Sequence, residues 1–244
     1  MFIREFLEAL LLYPKSLAFI SKNNLWKFTW LPGLLSLLII IGLIVLGITY
    51  SDSLSIFILE YFKATDNSFL YWTLIFLVWI VLIILGLILY KPVVLIIAAP
   101  LLANLSEKTE RILNIPLTKN ANTGVFRDIS RSIHINIYYL ISSLLYSVLI
   151  FLISFLPLIG AIFSSVGLFL VQGYYSGCGL ADVILERHGF TVRERKTFVK
   201  NNKAVMMGNG SGFLLLLLIP VVGWFFAPAI ATVASTLTLV KKLK

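Results

Sequence analysis

Four long apolar stretches alternate with polar segments along the chain: residues 31–50, 69–90 with an apolar continuation to 102, 133–181 and 213–240. Residues 31–50 supply one bilayer crossing, since about 20 helical residues rise roughly 30 Å. Residues 69–102 return and exceed what a bilayer needs. Lys91 and Pro92 interrupt this return, which sets Lys91 near an interface where its stem can snorkel; a buried functional lysine is the other reading. Pro92 is the expected kink, after which the helix tilts along the surface or projects against another subunit.

The last two stretches read as helical hairpins. Their turns are Leu156-Pro157-Leu158-Ile159-Gly160 and Ile219-Pro220-Val221-Val222-Gly223, both Pro-apolar-apolar-Gly, and each is followed by an apolar pair ending in Phe163 or Phe226. Neither apex carries a polar residue to meet water on the far side. The first arm of the second hairpin, 213–219, is too short to span. Both therefore predict re-entrant insertion, with the apices covered by protein or lipid; the arms of the first are also long enough for a full crossing.

The polar segments complete the outline. Residues 1–28 predict a helix lying in the interface, with Phe2, Ile3, Phe6, Leu7, Leu10 and Leu11 on one stripe. Trp26 and Trp30 bracket the start of the first span as interfacial aromatics. Residues 104–132 predict a helix supported by Glu107 and Arg111 at i,i+4, ending near Asn114, then a loop at 120–124. Within 182–212, Gly189 closes one helix and Thr191 to Glu194 forms a capping box for the next. Arg193, Lys196, Lys200 and Lys203 are spaced to face one way on that helix, which is expected to end at the glycines of 208–212. The basic stripe fits either a face toward anionic lipid or a vestibule that concentrates an anion.

Charge fixes an orientation. Of the 20 Lys and Arg, 18 fall in residues 1–30, 103–132, 182–212 and 241–244, whereas the loop 51–68 holds Lys63 beside Asp52, Glu60 and Asp66. By the positive-inside rule both termini and the basic segments are cytoplasmic. The pattern predicts an all-α integral membrane protein, a single membrane domain over 1–244. It has two long transmembrane helices (31–50 and 69–102), two partly inserted, re-entrant helical hairpins (133–181 and 213–240) and amphipathic surface helices. A chain that is 59% hydrophobic and 13% charged, with a mean hydropathy of +0.98, is incompatible with a soluble domain.

Chemistry-bearing patterns are sparse. His134 and His188 have no partner at metal-ligand spacing, and the glycines of 208–212 lack the Lys-Ser/Thr ending of a phosphate loop. Cys178 reads as a packing residue. Asp182 and Glu186 share a helix face and suit salt bridges better than acid–base work. No catalytic residue, metal site or cofactor is expected, the basic residues need no nucleic acid to explain them, and no cleavable signal peptide is expected.

Several local patterns together resemble one family. These are Ala99-Pro100-Leu101-Leu102-Ala103 leading to Glu107-Lys108-Thr109-Glu110; Asp182 to Gly189 followed by Arg193-Glu194-Arg195 and Phe198; and Ile219-Pro220-Val221-Val222-Gly223 followed by Ala227-Pro228 and Ala231-Thr232. The chain resembles the bacterial CysZ sulfate permeases and the eukaryotic etoposide-induced endoplasmic-reticulum proteins over nearly its whole length. The resemblance implies an oligomer of such subunits in a bacterial inner membrane, or in the endoplasmic reticulum of a eukaryote. It implies sulfate uptake for assimilation without ATP hydrolysis. In that family the anion site is a Gly-Leu followed by basic or amide residues just before the first span. The corresponding stretch here is Asn24-Leu25-Trp26-Lys27, with Asn24 in place of the glycine and Trp26 in place of the first cation, and the expected anion-binding residues are Asn23, Asn24, Trp26 and Lys27. The expected function is a CysZ-like anion permease or channel, with sulfate, anionic lipid and further copies of the chain as partners; the alternative is a non-transporting scaffold or lipid-interacting protein of the same fold.

Overall fold

The computed structural model describes residues 1–61, 68–115, 125–156 and 159–243, and among them every regular element is an α-helix. The expected loop around Lys63, the loop at 120–124 and the turn residues Pro157 and Leu158 lie outside the described residues. The helices are α1 (Phe2–Leu10), α2 (Leu12–Lys22), α3 (Trp26–Tyr61), α4 (Ser68–Ile97), α5 (Ala99–Ile112), α6 (Val125–Ile153), α7 (Gly160–Arg187), α8 (Val192–Asn201), α9 (Lys203–Leu217) and α10 (Val222–Leu243). Five are long and apolar enough to cross a membrane: the segments Trp26–Ser51, Tyr71–Ile97, Ile133–Ile153, Gly160–Arg187 and Val222–Leu243.

Several sequence-based boundaries shift. Residues 1–28 form two helices and the start of a third, not one. Ala9, Tyr13, Ser16 and Ile20 form a buried stripe, while Phe2, Ile3, Leu7 and Leu11 remain exposed. The apolar segment of the first span ends at Ser51, close to the expected residue 50, but its helix continues to Tyr61 because nothing between 51 and 61 breaks it. The return helix continues unbroken through Pro92 to Ile97, and its interruption falls at Ala98. Pro100, which lacks an N–H, sits in the first turn of α5, where none is required. Part of the polar segment 104–132 already belongs to α6.

Three helix ends share one mechanism. Asn24 (φ 53°), Asn114 (φ 53°) and Gly189 (φ 77°) are left-handed. Each is flanked by a pair of reversed hydrogen bonds: Leu25 N–H to Ile20 C=O (3.0 Å) with Asn24 N–H to Ser21 C=O (3.4 Å), then Ile115 to Glu110 with Asn114 to Arg111, and Phe190 to Leu185 with Gly189 to Glu186. This arrangement satisfies the last carbonyls of α2, α5 and α7 and turns the chain sharply.

The glycines of 208–212 do not end a helix; they lie in the middle of α9, buried. They are there for close backbone approach. A Cβ at Gly210 would overlap the Gly173 carbonyl of α7, and one at Gly177 would overlap the Met206 carbonyl of α9. Gly208 and Gly212 admit the α1 backbone and the Tyr13 ring in the same way. Small residues four apart let membrane helices pack at short range, where dispersion contacts replace the missing hydrophobic drive. The second hairpin consequently begins at Lys203, not at residue 213.

The two hairpin turns are built alike. Leu156 N–H bonds to Ile153 C=O and Gly160 N–H to Leu156 C=O; Ile219 N–H bonds to Leu216 C=O and Gly223 N–H to Ile219 C=O. A Cβ at Gly160 or Gly223 would overlap the carbonyl seven residues back, at Ile153 or Leu216. The shared sequence pattern thus goes with the same hydrogen bonds at the described ends of both turns. Both apices present large apolar side chains outward, among them Phe155, Ile159, Leu218 and Val222.

Pro228 in α10 leaves the carbonyl of Trp224 without its intrahelical donor. Two hydroxyls replace it, Ser36 of α3 at 2.7 Å and Tyr90 of α4 at 2.8 Å. Trp30 and Gly33 of α3 receive the Phe225 ring, with Trp30 and Phe225 centroids 5.5 Å apart. The tip of the second hairpin is thereby fixed beside the first third of α3.

Candidate functional site

The corner between α2 and α3 is where the expected anion-site residues fall. The left-handed turn at Asn24 ends α2, and α3 starts two residues later; in its first turn the Phe28 N–H bonds to the Leu25 carbonyl at 2.9 Å, while the N–H groups of Trp26 and Lys27 precede any acceptor the helix supplies. Asn24 keeps the conformation that a glycine would adopt freely, which Asn tolerates better than other side chains. Asn23, Asn24, Leu25, Lys27 and Phe28 line one side of an open cleft of roughly 340 Å³. Its other side is α5, with Lys108, Arg111 and Ile112. Three cations thus converge from segments more than 80 residues apart, counting from Lys27 to Lys108. Arg111 also pairs with Glu107 at 2.5 Å.

Trp26 takes no part in this lining. Its indole N–H donates to Ser21 Oγ at 3.1 Å and its ring packs edge-on against Phe226, centroids 5.4 Å apart. Asn23 donates its side-chain amide back to the Phe19 carbonyl at 2.8 Å. The Lys27 and Lys108 ammonium groups lie 5.3 Å and 4.0 Å from the centre of the Phe28 ring, within cation–π range.

The basic stripe is divided. Thr191 and Glu194 make the expected capping box, so Arg193, Lys196 and Lys200 lie on α8, but α8 ends at Asn201 and Lys203 opens α9. Lys196, Lys200 and Lys203 still meet around one concavity of roughly 620 Å³, whose lining does not include Arg193. Arg195, between them in sequence, turns inward. It is 1% exposed and donates from Nη1 to Asp182 Oδ1 at 2.8 Å, with Glu186 Oε1 at 3.7 Å. Asp182 and Glu186 therefore serve ion pairing.

A second buried ionic group ties α5 to α7. Glu110, fully buried, accepts from Arg187, and its Oε1 lies 3.0 Å from His188 Nε2. Burial alone would raise the Glu110 carboxyl; hydrogen bonds from His188 and Arg187 outweigh that and hold it below its ordinary value. Arg187 reaches Ser106 at 3.3 Å, and Thr236 of α10 donates to the same hydroxyl at 3.0 Å.

Lys91 does not snorkel. It is 9% exposed, and its ammonium donates to Gln172 Oε1 of α7, whose amide donates in turn to Ser147 Oγ of α6 at 2.8 Å. Polar partners on two neighbouring helices hold it inward, and periodicity along α4 alone gives no sign of them. Among the described residues no group of three or more His, Cys, Asp or Glu is placed to hold a metal.

An all-helical membrane protein with cations gathered at the entrance to its first span is the class that this geometry defines. Residues 12–228 match the sequence profile of the sulfate transporter CysZ/etoposide-induced protein 2.4 family. The chain belongs to that family. No match is found among curated proteins.

Proposed function

We propose that this protein is a CysZ-type anion permease or channel that admits sulfate without ATP hydrolysis, and that the anion first binds in the α2–α3–α5 cleft. The observation that carries this reading is the convergence of Lys27 with Lys108 and Arg111 beside the N-terminus of α3. Helix N-termini favour anions through unsatisfied donors and the macrodipole, and charge-assisted hydrogen bonds add to both. A Trp26 that faces Phe226 leaves only Lys27 as a local cation; α5 supplies the rest of the charge a dianion requires. Asn23 and Asn24 line the same space, although the Asn23 amide already gives one N–H to the Phe19 carbonyl.

The membrane arrangement follows from the same contacts. The hairpin α9–α10 inserts only part of the way, which is supported by Phe225 lying beside Trp30 and Gly33, about 10 Å along α3 from Trp26. The apolar apices of both hairpins meet lipid or further copies of the chain in a homo-oligomer. Both termini, α5 and α8 face the cytoplasm of a bacterial inner membrane, or the cytosolic side of the endoplasmic reticulum in a eukaryote.

Radiolabelled sulfate flux into proteoliposomes tests the proposal, with calorimetric sulfate binding to the purified protein beside it. Wild type should bind and pass sulfate, and Lys27→Ala should weaken binding about tenfold or more. A wild type that binds and passes no oxyanion at millimolar levels would overturn the reading in favour of a non-transporting scaffold.

A further inference from the structure

The concavity rimmed by Lys196, Lys200 and Lys203 has a second property that an anion funnel does not require. Its wall is aromatic, formed by Tyr138, Tyr139 and Tyr146 of α6 with Tyr174 and Tyr175 of α7. The rings form a continuous series: centroids of 138 and 139 are 5.8 Å apart, 139 and 175 are 6.3 Å, 175 and 146 are 6.2 Å, and 174 and 175 are 5.1 Å. The Lys196 ammonium stands 3.6 Å over the Tyr138 ring. Among the described residues no carboxylate lines the concavity.

Its two ends differ in environment. Tyr146, Leu170 and Val171 lie within helices long and apolar enough to span, whereas Lys196 and Lys200 belong to α8, outside those segments, and Lys203 opens the short α9. From Tyr138 to Tyr146 the wall extends roughly 12 Å along α6. Beyond Tyr146 the exposed surface is mainly apolar as far as the hairpin apex, through Leu149 and Leu152 on α6 and Val166 and Phe163 on α7; the exposed Ser165 turns its hydroxyl to the Ala161 carbonyl at 2.7 Å. Cations at one end, amphipathic rings between and an apolar track at the other reproduce the polarity of one leaflet.

We infer that this concavity binds an anionic glycerophospholipid. Lys196, Lys200 and Lys203 hold its phosphate, the tyrosines flank its glycerol backbone, and one acyl chain lies along Tyr146, Leu170 and Val171. A free inorganic anion would have no use for the tyrosine wall or the apolar track. The inference does not depend on anion passage through the α2–α3 cleft, which uses other residues.

Native mass spectrometry of the full-length protein in detergent tests it, with phosphatidylglycerol and phosphatidylcholine of identical chains as probes. Wild type should retain phosphatidylglycerol over phosphatidylcholine by roughly tenfold or more, given the usual contribution of each basic residue near an anionic headgroup. The variant Lys196→Gln/Lys200→Gln/Lys203→Gln should lose that preference. A control with the same charge loss at exposed sites outside the concavity, Lys15→Gln/Lys22→Gln/Arg193→Gln, should keep it. Val171→Trp, which fills the apolar end and alters no charge, should reduce retention of both lipids and serves as an independent reading if the triple variant folds poorly. Three results would overturn the inference. One is equal loss in both triple variants. Another is displacement of phosphatidylglycerol by millimolar inorganic phosphate, the mark of a free-anion site. The third is loss of an oligomer peak in the lysine variant, which would assign the surface to a second copy of the chain.

Discussion

Lys27 at the start of α3 and Lys108 on α5 place their ammonium groups over the same Phe28 ring, at 5.3 Å and 4.0 Å from its centre. The ring thereby holds two like charges close to one cleft, an arrangement that costs free energy until an anion arrives. Lys108→Ala should therefore weaken sulfate binding about as much as Lys27→Ala, roughly tenfold. Phe28→Leu, which removes only the cation–π contacts of about 0.5–1 kcal/mol each, should weaken it about two- to fivefold for each contact that the bound state relies on. Calorimetry on the three variants checks the order; a Lys108→Ala protein with wild-type affinity would remove α5 from the site.

The left-handed turn at Asn24 makes an opposite prediction for stability. Asn24→Gly relieves the steric cost of φ 53° and should raise stability by up to about 1 kcal/mol, while Asn24→Val should lower it by about 1–2 kcal/mol. Thermal unfolding in detergent reads both. If the cleft depends on the turn and not on the Asn amide, sulfate affinity survives Asn24→Gly.

Glu110 predicts an acid-sensitive contact. Its carboxyl is held below the ordinary 4.5, so the folded state binds its proton less readily than the unfolded chain does. The stabilisation is complete above pH 4.5 and is lost as pH falls below that value toward the folded pKa. Glu110→Gln should cost about 3–5 kcal/mol near neutrality by leaving Arg187 without its buried partner, and should flatten the acid limb of a stability–pH profile.

Orientation can be read with single cysteines, because native Cys178 is fully buried. Lys63→Cys should react with an impermeant thiol reagent from outside the cell and Lys196→Cys should not. Val222→Cys, at the apex of the second hairpin, should resist the same reagent. Labelling of positions 63 and 196 from the same side would contradict a single orientation.

Gly177→Ala and Gly210→Ala should each destabilise by about 1–3 kcal/mol or more, since the added Cβ strikes a backbone carbonyl that has no rotamer to yield. Gly42→Ala, which meets open space, is the matched control.

Much of this architecture was legible in the sequence because its signals are local. The capping box at Thr191, the terminating Gly189 and the twin Pro-apolar-apolar-Gly turns each depend on residues within one or two helical turns. The family assignment rested on similarly short segments. What escaped was decided by partners distant along the chain. Lys91 reads as an interfacial residue until Gln172 and Ser147 are brought to it from two other helices. Lys108 joins Lys27 only because α5 folds back over the α2–α3 corner. The glycines of 208–212 carry the composition of a helix terminator, yet α7, α1 and α2 approach so closely that the same composition becomes a packing surface. Lys203 meets Lys196 and Lys200 at one concavity, though from α9 and not α8, and the break at Asn202 that divides them carries neither Gly nor Pro.

The Trp224 carbonyl sets a constraint on the order of assembly. Pro228 deprives it of a helical donor, and its two substitutes stand on α3 and α4, both of which leave the ribosome long before α10 does. In lipid an unpaired carbonyl is expensive, so the last hairpin has little reason to settle until the first two long helices are already in place. A chain cut before residue 224 would lack the one carbonyl on which Ser36 of α3 and Tyr90 of α4 converge, and with it the anchor between the first two long helices and the last.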